Sequence, residues 1–170
     1  MRRIPIVQGE HKVVAEPDVI ISTLLGSCVA VCLQDPVARV GGMNHFLLAE
    51  PGEDVAPAEQ QRYGIHAMEL LINAMMRHGA SRGRLRAHLY GGANIIAGLG
   101  KIGSSNAAFA RQFMATEKIE IGRCELEGSH ARKVEFMPYE GRVRSTLIDQ
   151  APPLRTLHRA EIAGGDVELF

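Results

Sequence analysis

Short apolar blocks separated by polar residues run along the first third of the chain, and each block has the length of a β-strand. The heptapeptide V-I-I-S-T-L-L at 19–25 is the first, and further blocks cover residues 28–33 and 40–48. Apolar runs of this length, bounded by turn residues, predict strands. The Asp35-Pro36 step between the last two blocks is typical of a type I turn. We therefore expect these two blocks to form a β-hairpin.

The rest of the chain mixes helical and strand-like periodicities. Apolar residues recur every three or four positions from Tyr63 to His78, which predicts a helix. The other predicted elements are a polar loop at 50–64, a strand at 85–90, a helix starting near Ser105, strands at 119–126 and 131–138, a turn at 139–141 and a strand at 142–148. Because strands and helices alternate irregularly and include hairpins, the pattern predicts an α+β fold.

Composition narrows the function classes. At 170 residues, the chain is predicted to form one domain, 1–170, whose segment 150–170 serves as an edge strand or a docking tail. A formal net charge of zero gives no electrostatic case for nucleic-acid binding. No apolar run reaches membrane-spanning length, so direct membrane insertion is not expected. Three cysteines, an odd number, argue against a disulfide framework and favour the reducing cytoplasm.

The predicted hairpin brings a cysteine towards a histidine. A turn centred between Pro36 and Val37 pairs residues whose numbers sum to 73, as those of Cys28 and His45 do. Residues paired in this way lie on one side of the sheet with Cβ atoms about 4.5–5.5 Å apart. A shift of two in the sum keeps both residues on one face, whereas a shift of one separates them. A thiol beside an imidazole becomes a thiolate nucleophile that can form an acyl-thioester.

Such a pair commonly has a third group that orients the imidazole. Ser22 shares the parity of Cys28 and would lie on the same face of one continuous strand, so it is the favoured hydroxyl. Thr23 is the alternative if Gly26 introduces a bulge. The backbone amides of the Gly26-Ser27 step lie near the sulfur and form a candidate oxyanion hole.

The other candidate residues have structural interpretations. A cysteine in an apolar run is often core filler, and Cys32 and Cys124 are interpreted in this way. No H-E-x-x-H or C-x-x-C motif occurs, so neither a metal nor a cofactor is expected. The Gly91-Gly92 step follows a strand but lacks the remainder of a phosphate-loop motif. Close backbone packing that supports the site is therefore the favoured role for this pair.

Several motifs together resemble the CheD family of chemoreceptor glutamine deamidases. They are L-G-S-C-V-A-V-C-L-Q-D-P at 25–36, G-G-M-N-H-F-L-L at 41–48, Y-G-G-A-N at 90–94, I-G-S-S-N at 102–106, and R-K-V-E-F followed by G-R-V within 132–143. The resemblance implies a cysteine-hydrolase fold of packed mixed β-sheets flanked by helices, similar to the catalytic domain of cytotoxic necrotizing factor toxins.

By position, the resemblance implies that Cys28 is the nucleophile and His45 the general base. The family's third catalytic residue is a threonine six residues before the cysteine, where this chain has Ser22 followed by Thr23. The implied reaction is hydrolysis of glutamine side chains to glutamate on the cytoplasmic region of methyl-accepting receptors. A CheC-type phosphatase is an implied partner of some members. The alternatives are a non-catalytic chemotaxis adaptor and a redox-sensing thiol.

Overall fold

Two β-sheets and two long helices make up the described part of the chain. The computed structural model describes residues 1–50, 52–95 and 101–149. The strands are β1 (Arg2–Pro5), β2 (His11–Val14), β3 (Val19–Leu25), β4 (Val29–Asp35), β5 (Val40–Asn44), β6 (Arg86–Gly91), β7 (Glu120–Leu126), β8 (Ala131–Met137) and β9 (Arg142–Ile148). The helices are α1 (Pro57–Arg77) and α2 (Ile102–Glu117), and a short 3-10 helix spans Arg82–Arg84.

Both sheets are mixed. The four-stranded sheet has the order β1-β3-β8-β9, and the five-stranded sheet has the order β2-β5-β4-β6-β7. In the first, β1 and β3 are parallel, and in the second, β6 and β7 are parallel. All other neighbouring strands are antiparallel. The structure thus confirms the α+β class with two packed mixed sheets and flanking helices.

Side-chain alternation along β4 shows how the layers pack. Ala30 and Cys32 belong to the core between the two sheets, together with Ile21 of β3. Val31 and Leu33 point the other way, into the core between the five-stranded sheet and the helices. Because both faces of this strand are covered, its sequence is continuously apolar rather than alternating. Within the described residues, no helix is both long and apolar enough to cross a membrane.

Several sequence predictions need correction. The strands β1 and β2 were not predicted, since each has only four residues, β1 is largely exposed, and only Val13 and Val14 of β2 are buried. The predicted loop at 50–64 is shorter than expected, because α1 begins at Pro57, where proline is favoured in the first helical turn. Cys124 is exposed rather than buried, because its strand lies at the edge of the five-stranded sheet. The segment 150–170 lies outside the described residues.

The β4–β5 hairpin has a different register from the predicted one. Asp35 pairs with Val40 and Cys32 with Met43, so paired residue numbers sum to 75 rather than 73. The reason is a longer loop: the Arg39 amide donates to the Asp35 carbonyl oxygen at 2.9 Å, and Arg39 adopts a left-handed φ of 58°. Cys28 and His45 are therefore not directly opposite each other. The shift of two nevertheless preserves their common face.

Candidate active site

The candidate nucleophile lies in the segment 26–28, which carries the chain from the four-stranded to the five-stranded sheet. The amide of Gly92 donates to the Cys28 carbonyl oxygen at 2.8 Å. The amide of Ala93 donates to the Gly26 carbonyl oxygen at 3.1 Å. The Cys28 side chain is half-buried and packs against the core between the sheets. The segment is thus held through its carbonyl groups, with the thiol at the edge of the core.

The paired glycines after β6 allow this close approach. A Cβ atom on Gly91 would overlap the carbonyl oxygen of Cys28. Both Gly91 and Gly92 have positive φ angles, 108° and 67°, which side-chain-bearing residues rarely adopt. The structure therefore places the Gly91-Gly92 step directly against the cysteine segment.

Asn106 of α2 links the cysteine segment to the chain that follows the candidate histidine. Its Nδ2 donates to the Ser27 carbonyl oxygen at 2.8 Å. Its Oδ1 accepts the Leu48 amide at 3.1 Å. The side chain is 1% exposed, so water does not compete for these bonds. Sequence reasoning singled out the I-G-S-S-N motif but not this bridging role.

His45 lies just after β5, beside the start of β4. Val29 and Phe46 exchange two backbone hydrogen bonds across this junction, at 3.0 and 2.9 Å. In this register Cys28 and His45 flank the bridge as diagonal neighbours, and diagonal Cα atoms lie about 7–8 Å apart in an antiparallel pair. His45 is 6% exposed. The hairpin thus brings the thiol and the imidazole to the same end of the inter-sheet core.

The hydroxyl that reaches the imidazole belongs to Thr23, and the preference for Ser22 is wrong on this point. Thr23 Oγ1 lies 2.7 Å from His45 Nδ1 and is buried. Residue parity does not identify the hydroxyl because the chain changes sheets after β3. Odd-numbered residues of β3, including Leu25, face the inter-sheet core, whereas even-numbered residues of β4 do so. Ser22 therefore lies on the opposite side of its strand.

A second contact of Thr23 fixes the proton on the imidazole. The hydroxyl donates to the Ile6 carbonyl oxygen at 2.8 Å. With its single proton used there, the oxygen accepts a hydrogen bond from His45, which places a proton on Nδ1. The other ring nitrogen, Nε2, then has no proton and can accept one. Burial lowers the pKa of His45 to about 4, which keeps the ring neutral near pH 7.

The turn at residues 6–10 closes one side of the site. The Gly9 amide donates to the His45 carbonyl oxygen at 2.8 Å, and the His45 amide donates to the Glu10 carbonyl oxygen at 3.1 Å. The thiol of Cys28 contacts Oε1 of Gln8 at 3.8 Å. Sequence reasoning missed this turn because its contacts depend on where the two short strands β1 and β2 are added to the sheets.

Cys32 provides an internal reference for Cys28. Cys32 lies in β4, faces the inter-sheet core against which Cys28 also packs, and is fully buried. Burial strongly raises the pKa of its thiol, so the thiolate does not form near neutral pH. The prediction that Cys32 is a core residue is confirmed.

The fold and the site define an α+β protein with a buried threonine–histidine pair at the same end of the inter-sheet core as a half-buried thiol. A family model described as "CheD chemotactic sensory transduction" matches residues 47–146. A Zymomonas mobilis protein named "Probable chemoreceptor glutamine deamidase CheD" is 49% identical over 170 residues, covering 99% of this chain and 93% of that protein. A protein of the same name from Acidiphilium cryptum is 53% identical, with 99% and 94% coverage. The chain belongs to the CheD family.

Similarity to solved structures is weaker. The crystal structure of the hypothetical protein YfiH from Bacillus licheniformis aligns with a TM-score of 0.45 and 16% identity, covering 71% of this chain and 50% of that one. A Neisseria meningitidis protein, NMB0706, aligns with a TM-score of 0.43 and 15% identity, covering 79% and 62%. At this level the likeness carries no information about chemistry.

Proposed function

We propose that this chain hydrolyses selected glutamine side chains to glutamate on the cytoplasmic region of methyl-accepting chemotaxis receptors. Family membership supports the substrate class, because the curated relatives are named chemoreceptor glutamine deamidases. The structural observation that carries the proposal is the 2.7 Å hydrogen bond between Thr23 Oγ1 and His45 Nδ1. It holds the imidazole as a neutral base at the end of the core where the Cys28 thiol lies.

In the proposed mechanism, His45 Nε2 takes the proton of the Cys28 thiol. The thiolate attacks the carboxamide carbon of the substrate glutamine and forms a tetrahedral intermediate. The imidazolium then protonates the leaving nitrogen, so ammonia departs and an Sγ–C thioester remains. His45 next deprotonates water, which attacks the thioester carbon. The C–S bond breaks, and glutamate and the free thiol are formed.

The remaining site residues have supporting roles in this proposal. Thr23 orients the imidazole through Nδ1 and stabilises the imidazolium that forms in each half-reaction. Backbone amides of Gly26 and Ser27 are the proposed donors to the developing oxyanion. Gly91 and Gly92 hold the cysteine segment in position through close backbone packing.

The proposal includes a fold assignment and a location. We propose that residues 1–170 form a single CheD-like domain with a cysteine-hydrolase fold similar to the catalytic domain of cytotoxic necrotizing factor toxins. The two packed mixed sheets with helices on one side of the five-stranded sheet are compatible with this assignment. Action on the cytoplasmic region of a receptor implies a cytoplasmic location.

Mass spectrometry of a receptor cytoplasmic fragment tests the proposal. Incubation with the wild-type protein should add about one dalton for each converted glutamine, because an NH₂ group is replaced by OH. Cys28→Ala should abolish this shift. Cys32→Ala, which removes a buried thiol that faces the same inter-sheet core four residues further along the chain, should retain it. If the wild-type protein binds the fragment but produces no mass shift, the protein is an adaptor and the proposed activity is wrong.

A further inference from the structure

The turn between β1 and β2 presents a carboxamide to the candidate nucleophile. Gln8 is exposed, and its Oε1 lies 3.8 Å from Cys28 Sγ. Its Nε2 donates to Glu50 Oε2 at 3.1 Å, which turns the carbonyl side of the amide towards the sulfur. The same functional group that the proposed reaction consumes is therefore already in contact with the thiol.

The amide carbon of Gln8 lies just beyond reacting distance of the sulfur. The thiol is hydrogen-bonded to Oε1 with an angle of at least about 90° at the oxygen, so with a carbonyl bond of about 1.2 Å Gln8 Cδ lies about 4–5 Å from Sγ. Reacting atoms in a near-attack arrangement are about 3–3.5 Å apart, so the exposed Gln8 side chain has to move about 0.5–2 Å towards the sulfur before attack. Because Gln8 and Cys28 belong to one chain, no bimolecular encounter is needed. Two backbone hydrogen bonds also anchor this turn beside the proposed base: the Gly9 amide donates to the His45 carbonyl oxygen, and the His45 amide donates to the Glu10 carbonyl oxygen.

We propose that Gln8 is a self-deamidation site of this protein. The inference rests on the proposed function, since it uses the same thiol and imidazole. The Cys28 thiolate attacks Gln8 Cδ, His45 protonates the leaving nitrogen, and ammonia departs to leave an internal Sγ–Cδ thioester. Water deprotonated by His45 then breaks the C–S bond. The products are a glutamate at position 8 and the regenerated thiol, with one water consumed and one ammonia released.

The modification would change the contacts of the turn. The new carboxylate cannot donate to Glu50, so the hydrogen bond from Gln8 Nε2 is lost. Two carboxylates at hydrogen-bond distance repel each other, whereas amide and carboxylate attract. The Glu10 side chain already accepts the Val7 amide at 2.9 Å and is a further acceptor in the same turn. Self-deamidation therefore releases the Gln8 side chain from its position over the thiol.

Peptide mapping by mass spectrometry tests the proposal on the full-length protein, both as isolated and after incubation at neutral pH. The peptide that contains Gln8 should gain about one dalton in ordinary water and about three daltons in ¹⁸O-water. Gln34, whose Nε2 is held by the carbonyl oxygens of Pro138 and Tyr139, is the internal reference and should not change. Cys32→Ala should behave as the wild type, and Cys28→Ala should retain Gln8. A shift that persists in Cys28→Ala is spontaneous hydrolysis and overturns the proposal.

Two parallel measurements separate this proposal from the proposed function. If receptor glutamines are converted while Gln8 stays unmodified, self-deamidation is wrong and the receptor activity stands. Conversion of Gln8 without conversion of the receptor supports self-deamidation alone, and conversion of neither overturns both. Dilution completes the test: a rate at Gln8 that is independent of protein concentration supports reaction within one chain. A rate that rises with concentration assigns the reaction to a second copy and overturns the internal step.

Discussion

The two ends of β4 both bury polar side chains, but they do so in opposite ways. At the far end, the Asp35 side chain is fully buried, and its carboxylate oxygens are surrounded by donors. These donors are the amides of Val37, Ala38 and Ser81 and the guanidinium of Arg84, at distances of 2.8–3.1 Å. Burial alone would raise the pKa of Asp35, and these hydrogen bonds reverse this effect and lower it. This carboxylate is a structural anchor.

The near end, by contrast, holds the groups that we propose to be catalytic. Thr23 occupies one ring nitrogen of His45 and leaves the other able to accept a proton. Cys28 is half-buried rather than enclosed. Burial of polar groups therefore does not by itself mark a functional site. What distinguishes the near end is an imidazole nitrogen that can still accept a proton, at the same end of the core as the half-buried thiol that we propose as the nucleophile.

The largest expected contrast is in stability. Asp35→Ala leaves the buried amides around it without an acceptor and should lower the free energy of unfolding by about 3–5 kcal/mol. Cys28→Ala should change it by less than about 1 kcal/mol, because its side chain is small and half-buried. Urea denaturation of both variants measures the difference. Equal losses at the two ends would remove the distinction between an anchor and a reactive group.

The two ends of β4 should also contribute differently to the loss of stability in acid. Burial lowers the pKa of His45 from 6.5 to about 4, so between these values the unfolded chain binds a proton that the folded chain does not. Stability should therefore fall as the pH decreases from 6.5 to 4, by about 3 kcal/mol in total for this group. The lowered pKa of Asp35 acts only below its ordinary value of 3.8.

The pH dependence of unfolding in His45→Gln provides the control for this prediction. The free energy of unfolding of the wild type minus that of the variant should be constant above pH 6.5. It should decrease as the pH falls from 6.5 to 4. The absolute stability of the variant does not enter this test. If the stability curves of the two proteins run parallel between pH 6.5 and 4, the buried neutral imidazole does not cause the loss of stability in acid.

A smaller loss of stability is expected on substitution of Asn106, whose amide oxygen and nitrogen are both hydrogen-bonded beside the proposed active site. Asn106→Ala leaves the Ser27 carbonyl and the Leu48 amide unpaired and should reduce stability by about 1–3 kcal/mol. Asn106→Asp keeps the acceptor for Leu48 but loses the donor to Ser27. We expect this variant to lower kcat for receptor deamidation with KM unchanged. An effect on KM alone would mean that Asn106 does not position the cysteine segment.

The smallest expected effect is a loss of activity on substitution of Thr23. This substitution is also the most direct test of the hydroxyl that orients the imidazole. Thr23→Val preserves shape but removes the hydrogen bond to His45, and kcat/KM should fall about tenfold, or about 1.4 kcal/mol. Thr23→Ser retains the hydroxyl and should stay close to the wild type. Ser22→Ala is the matched control on the other side of the strand and should have no effect. A loss in Ser22→Ala with normal activity in Thr23→Val would contradict the geometry.

Much of the fold was predictable because local patterns decide it. The apolar run at 19–25 forms β3 with the predicted bounds, and the helix predicted from Tyr63 to His78 corresponds to the second part of α1, which ends at Arg77. The four-residue strands β1 and β2 have no such pattern, since tertiary pairing rather than composition determines them. The start of α1 was missed because Pro57 was treated as a loop residue instead of a first-turn residue.

The site was predictable only in part, for a related reason. Cys28 and His45 lie within one hairpin, so parity alone places them on one face even when the register shifts by two. The hydroxyl lies in another sheet, and parity does not carry across the crossover at 26–28. The contacts of Gln8 and Asn106 join segments that are distant in sequence. No local pattern reports such contacts.

The bridge made by Asn106 has a consequence for synthesis of the protein. All the proposed reacting side chains lie within the first fifty residues, whereas Asn106 and β8, the partner of the Thr23 strand, follow much later. At about 5–20 residues per second, the roughly ninety residues up to the end of β8 take on the order of 5–20 s to emerge. The nascent chain therefore carries its thiol and imidazole for seconds before the elements that hold them in place exist. The proposed activity therefore depends on segments that are synthesised well after the reacting side chains.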